Sequence, residues 1–256
     1  LPPYLAMKKE TERFSRLFSG LNRAYGALDI TTKDARGKQK GKYKFVHEPR
    51  TTATYASHLK GEVSIGIVPI NEDDACLWGA IDIDQYPLDH SEVLKRLSRL
   101  ELPLVACRSK SGGAHLYLFF KEFVEAEKVQ VKLKEIAAEI GYGGCEIFPK
   151  QIKLVLERGD NGNFLNLPYF DHEGGLRYAL NKDGSAATIV EFLDQAEASA
   201  ITEDQLDGLL SKSVSVVDDK LKDGPPCLQA LLRQGFPEGT RNNGLFNLGV
   251  YLRKAY

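Results

Sequence analysis

Short apolar runs rich in β-branched and aromatic residues, which are typical of β-strands, recur between residues 63 and 167 of this chain. They predict strands at 63–68, 77–84, 103–108, 115–120, 146–148, 153–156 and 164–167. Apolar residues spaced three and four apart predict helices at 6–23, 51–59, 91–100 and 125–140, the third with Asp89 or Ser91 as its cap. This order of elements predicts an α+β protein in which helices pack on a mixed sheet.

The character of the sequence changes after about residue 185. Short helices are predicted at 188–200 and 203–211, a charged stretch at 214–226 ends in DGPP, and residues 227–256 have the pattern helix, turn, helix. We therefore predict a first domain over residues 1–185, a helical linker over 186–226 and the start of a truncated helical C-terminal domain over 227–256. The chain lacks an initiator Met and stops inside a helical pattern, so we expect it to be a fragment of a longer protein.

Composition limits the possible classes of protein. Hydrophobic residues make up 43% of the 256 residues, so a well-buried core is expected. No apolar run is long enough to cross a membrane and no secretory signal is visible, so we expect a cytoplasmic protein with no membrane partner. The four cysteines include no CxxC pair, so they do not predict a structural zinc site.

A pair of carboxylates stands in the apolar strand LWGAIDIDQY. Asp82 and Asp84 are two residues apart, so their side chains share one face of the strand, while the intervening apolar residues can enter the core. Two aspartates one pleat apart repel each other unless a divalent cation binds between them, and magnesium or manganese prefers such oxygen ligands. The alternative interpretation is a solvated strand end whose aspartates have no special role.

A glycine-rich turn joins two predicted strands in the segment CRSKSGGAHLYLFF. A hairpin with a Gly-Gly turn brings backbone N–H groups, hydroxyl groups and cations to its tip, which suits a triphosphate ligand. The candidate nucleotide-binding residues are Arg108, Ser109, Lys110, Ser111, Gly112, Gly113 and His115. An ordinary hairpin with a partly buried histidine remains the alternative.

A third carboxylate, Glu146, lies among apolar residues in GGCEIFPKQ. A charge in the middle of such a strand needs a partner, and a cation already held by Asp82 and Asp84 would supply one. Two or three carboxylates that hold two divalent ions are the minimum for in-line phosphoryl transfer.

Basic residues are candidates for nucleic-acid contacts, although the formal net charge of −1 does not itself indicate such a partner. The glycine-containing stretch at residues 33–44 is either a solvated loop or a flexible arm that contacts phosphates. The cations that follow Glu146 either line a path for phosphates or lie on the surface. The candidates are Lys38, Lys40, Lys42, Lys150, Lys153 and Arg158.

The three motifs, in this order, resemble those of the archaeo-eukaryotic primase superfamily, and most of all its branch in phages, plasmids and mobile or defence systems. That superfamily has a paired-acid strand, an SxH or SGGxH element and a further lone carboxylate, and AIDIDQY, SKSGGAHLYLFF and CEIFPKQ stand in those places. GNFLNLPYF, at residues 162–170, resembles the segment that closes the catalytic module. Residues 239–256 are similar to the helical domain that often follows it.

The resemblance implies an RRM-like palm with a mixed sheet and helices, an N-terminal α/β unit and a small helical C-terminal region. Residues 1–185 would then be the catalytic domain of a primase-polymerase, which synthesises or extends primers by template-directed nucleotide addition. Asp82, Asp84 and Glu146 would be the catalytic ligands of two Mg²⁺ or Mn²⁺ ions.

The resemblance also implies the partners of the chain. Ser111 and His115 would contact the incoming nucleoside triphosphate, with Arg108 and Lys110 as helpers. The other expected partners are a single-stranded or primed DNA template and a helicase domain or protein of the full-length system. The expected location is the cytosol of a bacterium or of a phage-infected host.

Two other activities would use the same residues. A non-catalytic module could bind nucleotide or single-stranded nucleic acid, but a lost activity does not need three carboxylates. A metal-dependent nuclease would use the same cations, but the phosphate-binding turn favours a triphosphate over a plain diester as substrate.

Overall fold

The computed structural model describes residues 3–33, 39–210, 225, 246, 248–251 and 253. The chain divides into two compact units, Leu1–Asp207 and Gly208–Tyr256. Most of the predicted linker after residue 210 and most of the predicted C-terminal helical domain lie outside the described residues. The division into a first domain, a linker and a helical domain stays a prediction.

Helices and strands alternate through the first unit, as the sequence predicts. The helices of the described part are Pro3–Leu17 (α1), Thr52–Leu59 (α2), His90–Arg99 (α3), Ala126–Glu139 (α4), Ile189–Ser199 (α5) and Glu203–Gly208 (α6). The strands are Tyr25–Lys33 (β1), Gln39–Val46 (β2), Ile65–Ile67 (β3), Ala75–Ile83 (β4), Leu104–Arg108 (β5), Ala114–Glu125 (β6), Glu146–Phe148 (β7) and Leu165–Asn166 (β8). None of the helices in these segments has both the length and the hydropathy that a bilayer-spanning helix needs.

The strands form two four-stranded sheets, with the orders β2-β1-β3-β8 and β5-β6-β4-β7. The α+β class is confirmed. The prediction of a mixed sheet is wrong for both, because the paired strands run antiparallel. Strands β4 and β5 do run in the same direction around helix α3, but β6 lies between them and pairs antiparallel with both.

The two faces of the second sheet are both buried, and this explains the continuous apolar pattern of β4. On one face, a side chain at Gly79 would overlap Val129 and Leu133, so helix α4 lies directly on the strand there. On the other face, Trp78 and Ala80 enter the main hydrophobic core, which also contains aromatic residues of α1 and β6. Asp82 is the next residue on that second face. It therefore stands where the core ends.

The first sheet contains a hairpin that the sequence analysis did not predict. The interpretation of residues 33–44 as a loop or a flexible arm is wrong in part, because Lys33 ends β1 and Gln39–Val46 is a strand. Lys40 and Lys42 lie in this strand, at the edge of the sheet, and Lys38 lies outside the described residues. Their contact with nucleic acid stays a prediction.

The predicted strand at residues 153–156 is also absent. A short 3-10 helix, Leu156–Arg158, follows an irregular segment. The amide of Leu154 donates to the carboxylate of Asp74 at 2.8 Å, and Leu154 is the one buried side chain in the stretch 150–160. A single buried residue fixes a loop but does not need a strand partner.

Local signals at the helix ends agree with the sequence. Asp89 caps α3 by accepting a hydrogen bond from the amide of Glu92 at 3.2 Å.

A buried histidine links α2 to the first sheet. The fully buried His58 accepts a hydrogen bond from the amide of Ile65 at 3.1 Å and lies 2.8 Å from the carbonyl of Pro168. Burial lowers the pKa of His58 to about 3, so this link is made by a neutral imidazole.

Candidate active site

The register of the second sheet brings the three predicted motifs together in one row. Asp82 on β4 is directly opposite His115 on β6 and directly opposite Glu146 on β7. Residues opposite each other in an antiparallel pair project from the same face. The paired acid, the glycine-turn histidine and the lone carboxylate are therefore neighbours on one side of the sheet.

Asp82 has a carboxylate that its surroundings do not satisfy. Its side chain is 13% exposed, and Oδ1 lies 3.3 Å from Nε2 of His115. This contact lacks hydrogen-bond alignment, so the buried Oδ1 has no hydrogen-bond partner among the described residues. A buried carboxylate oxygen without a partner is costly, and a cation or a donor from a ligand would remove that cost.

Asp84 lies one residue beyond the end of β4 and is exposed to solvent. Its Oδ1 accepts a hydrogen bond from the hydroxyl of Tyr86 at 2.8 Å. Desolvation raises the pKa of Tyr86, and the hydrogen bond to Asp84 raises it further. Burial raises the pKa of the Cys145 thiol nearby, and the charges of Asp82 and Asp84 raise it further. The two carboxylates thus create a negative field at this end of the strand.

The double glycine of the turn has a steric explanation. Gly112 has a φ of +98°, and a side chain at Gly113 would bring its Cβ within 2.2 Å of the carbonyl oxygen of Ile83. The turn closes through a 2.9 Å hydrogen bond from the amide of Ser109 to the carbonyl of Gly113. Nε2 of His90 lies 3.1 Å from the same carbonyl. The turn is therefore held against the strand that carries the paired aspartates.

The side chains of the turn divide into three groups. Arg108 donates to the carbonyl of Leu176 at 2.8 Å and lies 6.0 Å from the ring of Tyr178. Its side chain is therefore directed toward the segment at residues 176–178, which lies beside the edge strand β5. Ser109 is buried, and within the described part of the chain its Oγ has no hydrogen-bond partner. Lys110 is half-buried and Ser111 is exposed at the tip.

His115 is held from behind by a buried tyrosine. Its Nδ1 lies 3.0 Å from the hydroxyl of Tyr117, which donates to the carbonyl of Asn166 in the first sheet at 3.4 Å. Burial raises the pKa of Tyr117 well above its usual range, and the charges of Cys107 and Asp82 act in the same direction. The tyrosine therefore stays a neutral phenol that fixes the imidazole against Asp82.

Glu146 is in register with Asp82, but its carboxylate points to another partner. The side chain is 60% exposed, and its Oε2 lies 2.7 Å from Nζ of Lys150. Lys150 in turn lies 5.1 Å from the centre of the Phe148 ring. Across the described residues, no group of three or more His, Cys, Asp or Glu side chains is arranged to hold a metal ion. Asp82 and Asp84 fit a hard cation by their chemistry, whereas Glu146 is paired with a lysine.

The remaining predicted cations lie on the surface. Lys42 is exposed on β2, Lys153 is exposed on the irregular segment after β7, and Arg158 is exposed at the end of the short 3-10 helix. These residues are accessible to a charged polymer, and their role as phosphate contacts stays a prediction.

Several residues at this site were missed by the sequence analysis. Tyr86 and Tyr117 carried a signal, because each lies two residues beyond a predicted site residue and Tyr117 shares the face of His115. His90 and Asn166 carried none. They reach the site through sheet register and helix position, which the local sequence does not show.

Comparison with known proteins identifies the family. The model of the family described as "TOTE conflict system, Archaeo-Eukaryotic Primase domain" matches residues 24–209, a span that includes all eight strands of the described part. This match covers well over half of the chain, so the chain belongs to this family of archaeo-eukaryotic primase domains. The family supports a primase-like nucleotidyltransferase, as the motifs predicted. No curated protein matches the chain.

Solved structures of primases are similar to the chain at low identity. The primase-polymerase domain of cyanophage S-2L is 13% identical, with a TM-score of 0.42, over 74% of this chain and 97% of that one. The primase RepB′ is 12% identical, with a TM-score of 0.39, over 87% of this chain and 71% of that one. The catalytic domain of RepB′ in complex with initiator DNA is 13% identical, with a TM-score of 0.38, over 75% and 94% of the respective chains.

Proposed function

We propose that this chain is a template-directed nucleotidyltransferase, a DNA primase-polymerase that synthesises or extends primers. The observation that carries the proposal is the row of Glu146, Asp82 and His115 on one face of the second sheet. It places two kinds of group side by side: carboxylates that suit divalent cations, and a histidine and turn that suit a triphosphate.

Asp82 and Asp84 are the proposed ligands of Mg²⁺ or Mn²⁺, with Glu146 as a third carboxylate from the neighbouring strand. The unpartnered, buried Oδ1 of Asp82 supports this assignment. Two bound ions would activate the attacking hydroxyl group and stabilise the charge on the leaving pyrophosphate. Asp82, which is 13% exposed on strand β4, would fix where the reacting groups meet.

The turn and His115 are proposed to hold the incoming triphosphate. His115 is oriented by Tyr117, so it can present its Nε2 side to a phosphate near Asp82 without an ordering cost at the moment of binding. Ser109, with an unpartnered buried hydroxyl, and Lys110 and Ser111 at the turn supply further donors. Lys40, Lys42, Lys150, Lys153 and Arg158 are proposed to contact a DNA template through its phosphates.

Primer extension tests the proposal directly. The wild-type chain is incubated with a primed DNA template, each of the four dNTPs or NTPs, and magnesium or manganese, and the products are separated by length. Products longer than the primer, with a sequence that follows the template, are the expected result. Shortened strands would instead indicate a metal-dependent nuclease.

A second candidate function is a module that binds nucleotide without chemistry, and one observation favours it. The carboxylate of Glu146 is already paired with the ammonium group of Lys150, at 2.7 Å. Tight binding of nucleoside triphosphate, without extension in either metal and at any nucleotide concentration, would support this candidate over the polymerase.

A further inference from the structure

Arg177 lies outside every predicted motif, yet the sheet register brings it to the site. Cys107 bridges Ala179 in an antiparallel pair, and the amide of Arg108 donates to the carbonyl of Tyr178 at 2.8 Å. Continued by two residues beyond this bridge, the register would bring Arg177 to the level of Ser109. Because Cys107 is also opposite His115, Arg177 projects from the face that carries His115 and Asp82.

The guanidinium of Arg177 crosses from the second sheet to the first. It donates to Oγ of Ser64 at 2.9 Å, to the hydroxyl of Tyr43 at 3.2 Å and to the carbonyl of Leu167 at 3.3 Å. The residue is only 7% exposed. Tyr43 and Ser64 are 2.9 Å apart and hold each other in place.

All of these acceptors are neutral. In the part of the chain that the structure describes, no carboxylate lies within ion-pair distance of Arg177. An arginine stays charged even when buried, and a buried charge without a counter-charge is costly. The Phe170 ring, 5.8 Å away, offsets only part of that cost. A bound anion beside the guanidinium would offset the rest of that cost.

Other unsatisfied groups surround the same region. The buried polar atoms without a hydrogen-bond partner in the described residues include Oγ of Ser109 and Oδ1 of Asp82. The positive charge of Arg177 also reaches Tyr117, where it opposes the rise in pKa that burial causes. Tyr117 is the residue that holds His115. Arg177 is thus near the tyrosine that orients His115.

We propose that Arg177 binds a phosphate group of the incoming nucleoside triphosphate. The identity of the ligand rests on the proposed function, whereas the need for an anion rests on the buried, unneutralised guanidinium alone. A backbone phosphate of DNA offers the same chemistry, but a continuous strand cannot easily reach a side chain that is 7% exposed. The terminal phosphate of a triphosphate is not followed by another nucleotide, so it can approach such a side chain.

The test is a binding measurement without DNA. Inorganic tripolyphosphate and a dNTP are titrated, with magnesium present, into the wild type, Arg177→Gln, Arg177→Lys and Arg99→Gln, and the affinity is measured by calorimetry. Arg99 is an exposed arginine of α3 and serves as the matched control. We expect Arg177→Gln to bind both ligands about tenfold to one-hundredfold more weakly, the usual range for a charged hydrogen bond. We expect Arg177→Lys to be intermediate, since it keeps the charge and loses the two-pronged geometry.

Each contrary outcome is distinct. Wild-type affinity for tripolyphosphate in Arg177→Gln, or in Arg177→Lys if the glutamine variant does not fold, would overturn the proposal. So would a loss confined to DNA binding, or a wild type that binds neither ligand. If the wild type extends primers and the variants keep its nucleotide affinity, this inference fails and the proposed function stands. If triphosphate binding depends on Arg177 but no primer is extended, the inference stands and the polymerase fails.

Discussion

The two neighbours of Asp82 in the sheet are built in opposite ways. On the β6 side, His115 is 12% exposed in its side chain, lies on a central strand and is held by Tyr117. On the β7 side, Glu146 is 60% exposed, lies on a three-residue edge strand and is paired with Lys150. One side of Asp82 is fixed by packing, and the other is held only by a surface ion pair.

This difference indicates how the two sides can contribute. A group fixed by a buried network needs no reordering when a ligand binds, so the β6 side is suited to nucleotide recognition. A surface ion pair is worth about 1 kcal/mol or less, so Glu146 can exchange Lys150 for another cation at little cost. The described residues thus contain a rigid half of a site and an adjustable half, with Asp82 between them.

Substitution of Asp82, which both halves share, should have the largest effect. We expect Asp82→Asn to lower the rate of primer extension on the order of a thousandfold, since loss of a cation ligand removes several kcal/mol of transition-state stabilisation. The melting temperature should not fall, because the variant removes a buried charge that has no hydrogen-bond partner. Extension assays and thermal unfolding measure the two effects.

The control for Asp82→Asn is Asp73→Asn, at an exposed aspartate before the same strand. Extension by Asp82→Asn at a rate near that of this control would remove the metal-ligand assignment and, with it, the idea that two halves meet at Asp82.

A substitution in the rigid half should lower the affinity for nucleotide rather than the maximal rate of extension. We expect His115→Ala to raise the apparent KM for nucleotide about tenfold to one-hundredfold, because a hydrogen bond to a charged phosphate is lost. Binding of primed DNA, measured by fluorescence anisotropy, should change little. An unchanged nucleotide KM, or an equal loss of DNA affinity, would contradict the triphosphate role of this residue.

Tyr117 offers a smaller test of the same half. Tyr117→Phe keeps the ring in the core and removes the hydroxyl that contacts Nδ1 of His115. We expect the nucleotide KM to rise about fivefold, within the range for one neutral hydrogen bond, because the imidazole becomes less well oriented. In the background of His115→Ala the same substitution should have no further effect on KM. An additive effect in the double variant would show that Tyr117 acts independently of His115.

Much of the second sheet and of helix α3 could be predicted from the sequence, because the signals there are local. The β7 strand at 146–148 was predicted with its observed limits, and β4 with its aspartates was misplaced by two residues at one end and one at the other. Asp89, a candidate cap of α3, is its cap. In each case the residues that determine the element are next to one another in the chain. The spacing of apolar residues and the identity of the capping residue are therefore sufficient to predict it.

The parts that could not be predicted depend on distant residues. The hairpin of β1 and β2 has polar and charged residues at many positions, and β1 also pairs with the distant strand β3. The segment that carries Arg177 is joined to β5 by the bridge between Cys107 and Ala179, across about seventy residues of sequence. The pairing of Glu146 with Lys150 was likewise not predicted, since either a cation ligand or a lysine satisfies the same local pattern.

That ion pair gives the smallest and most specific test of the adjustable half. Lys150→Met removes the competitor for Glu146 and keeps an apolar chain beside Phe148. If Glu146 exchanges Lys150 for a divalent ion, the variant should reach half-maximal extension at about two- to fivefold lower magnesium, as the loss of a surface ion pair allows. The measurement is made at saturating primed DNA, because Lys150 is also a candidate phosphate contact. Lys95→Met, at an exposed lysine of α3, should leave the magnesium dependence unchanged. A magnesium requirement that stays the same or rises in Lys150→Met would mean that Glu146 does not act as an exchangeable ligand, and only the side of Asp82 that carries His115 would then belong to the site.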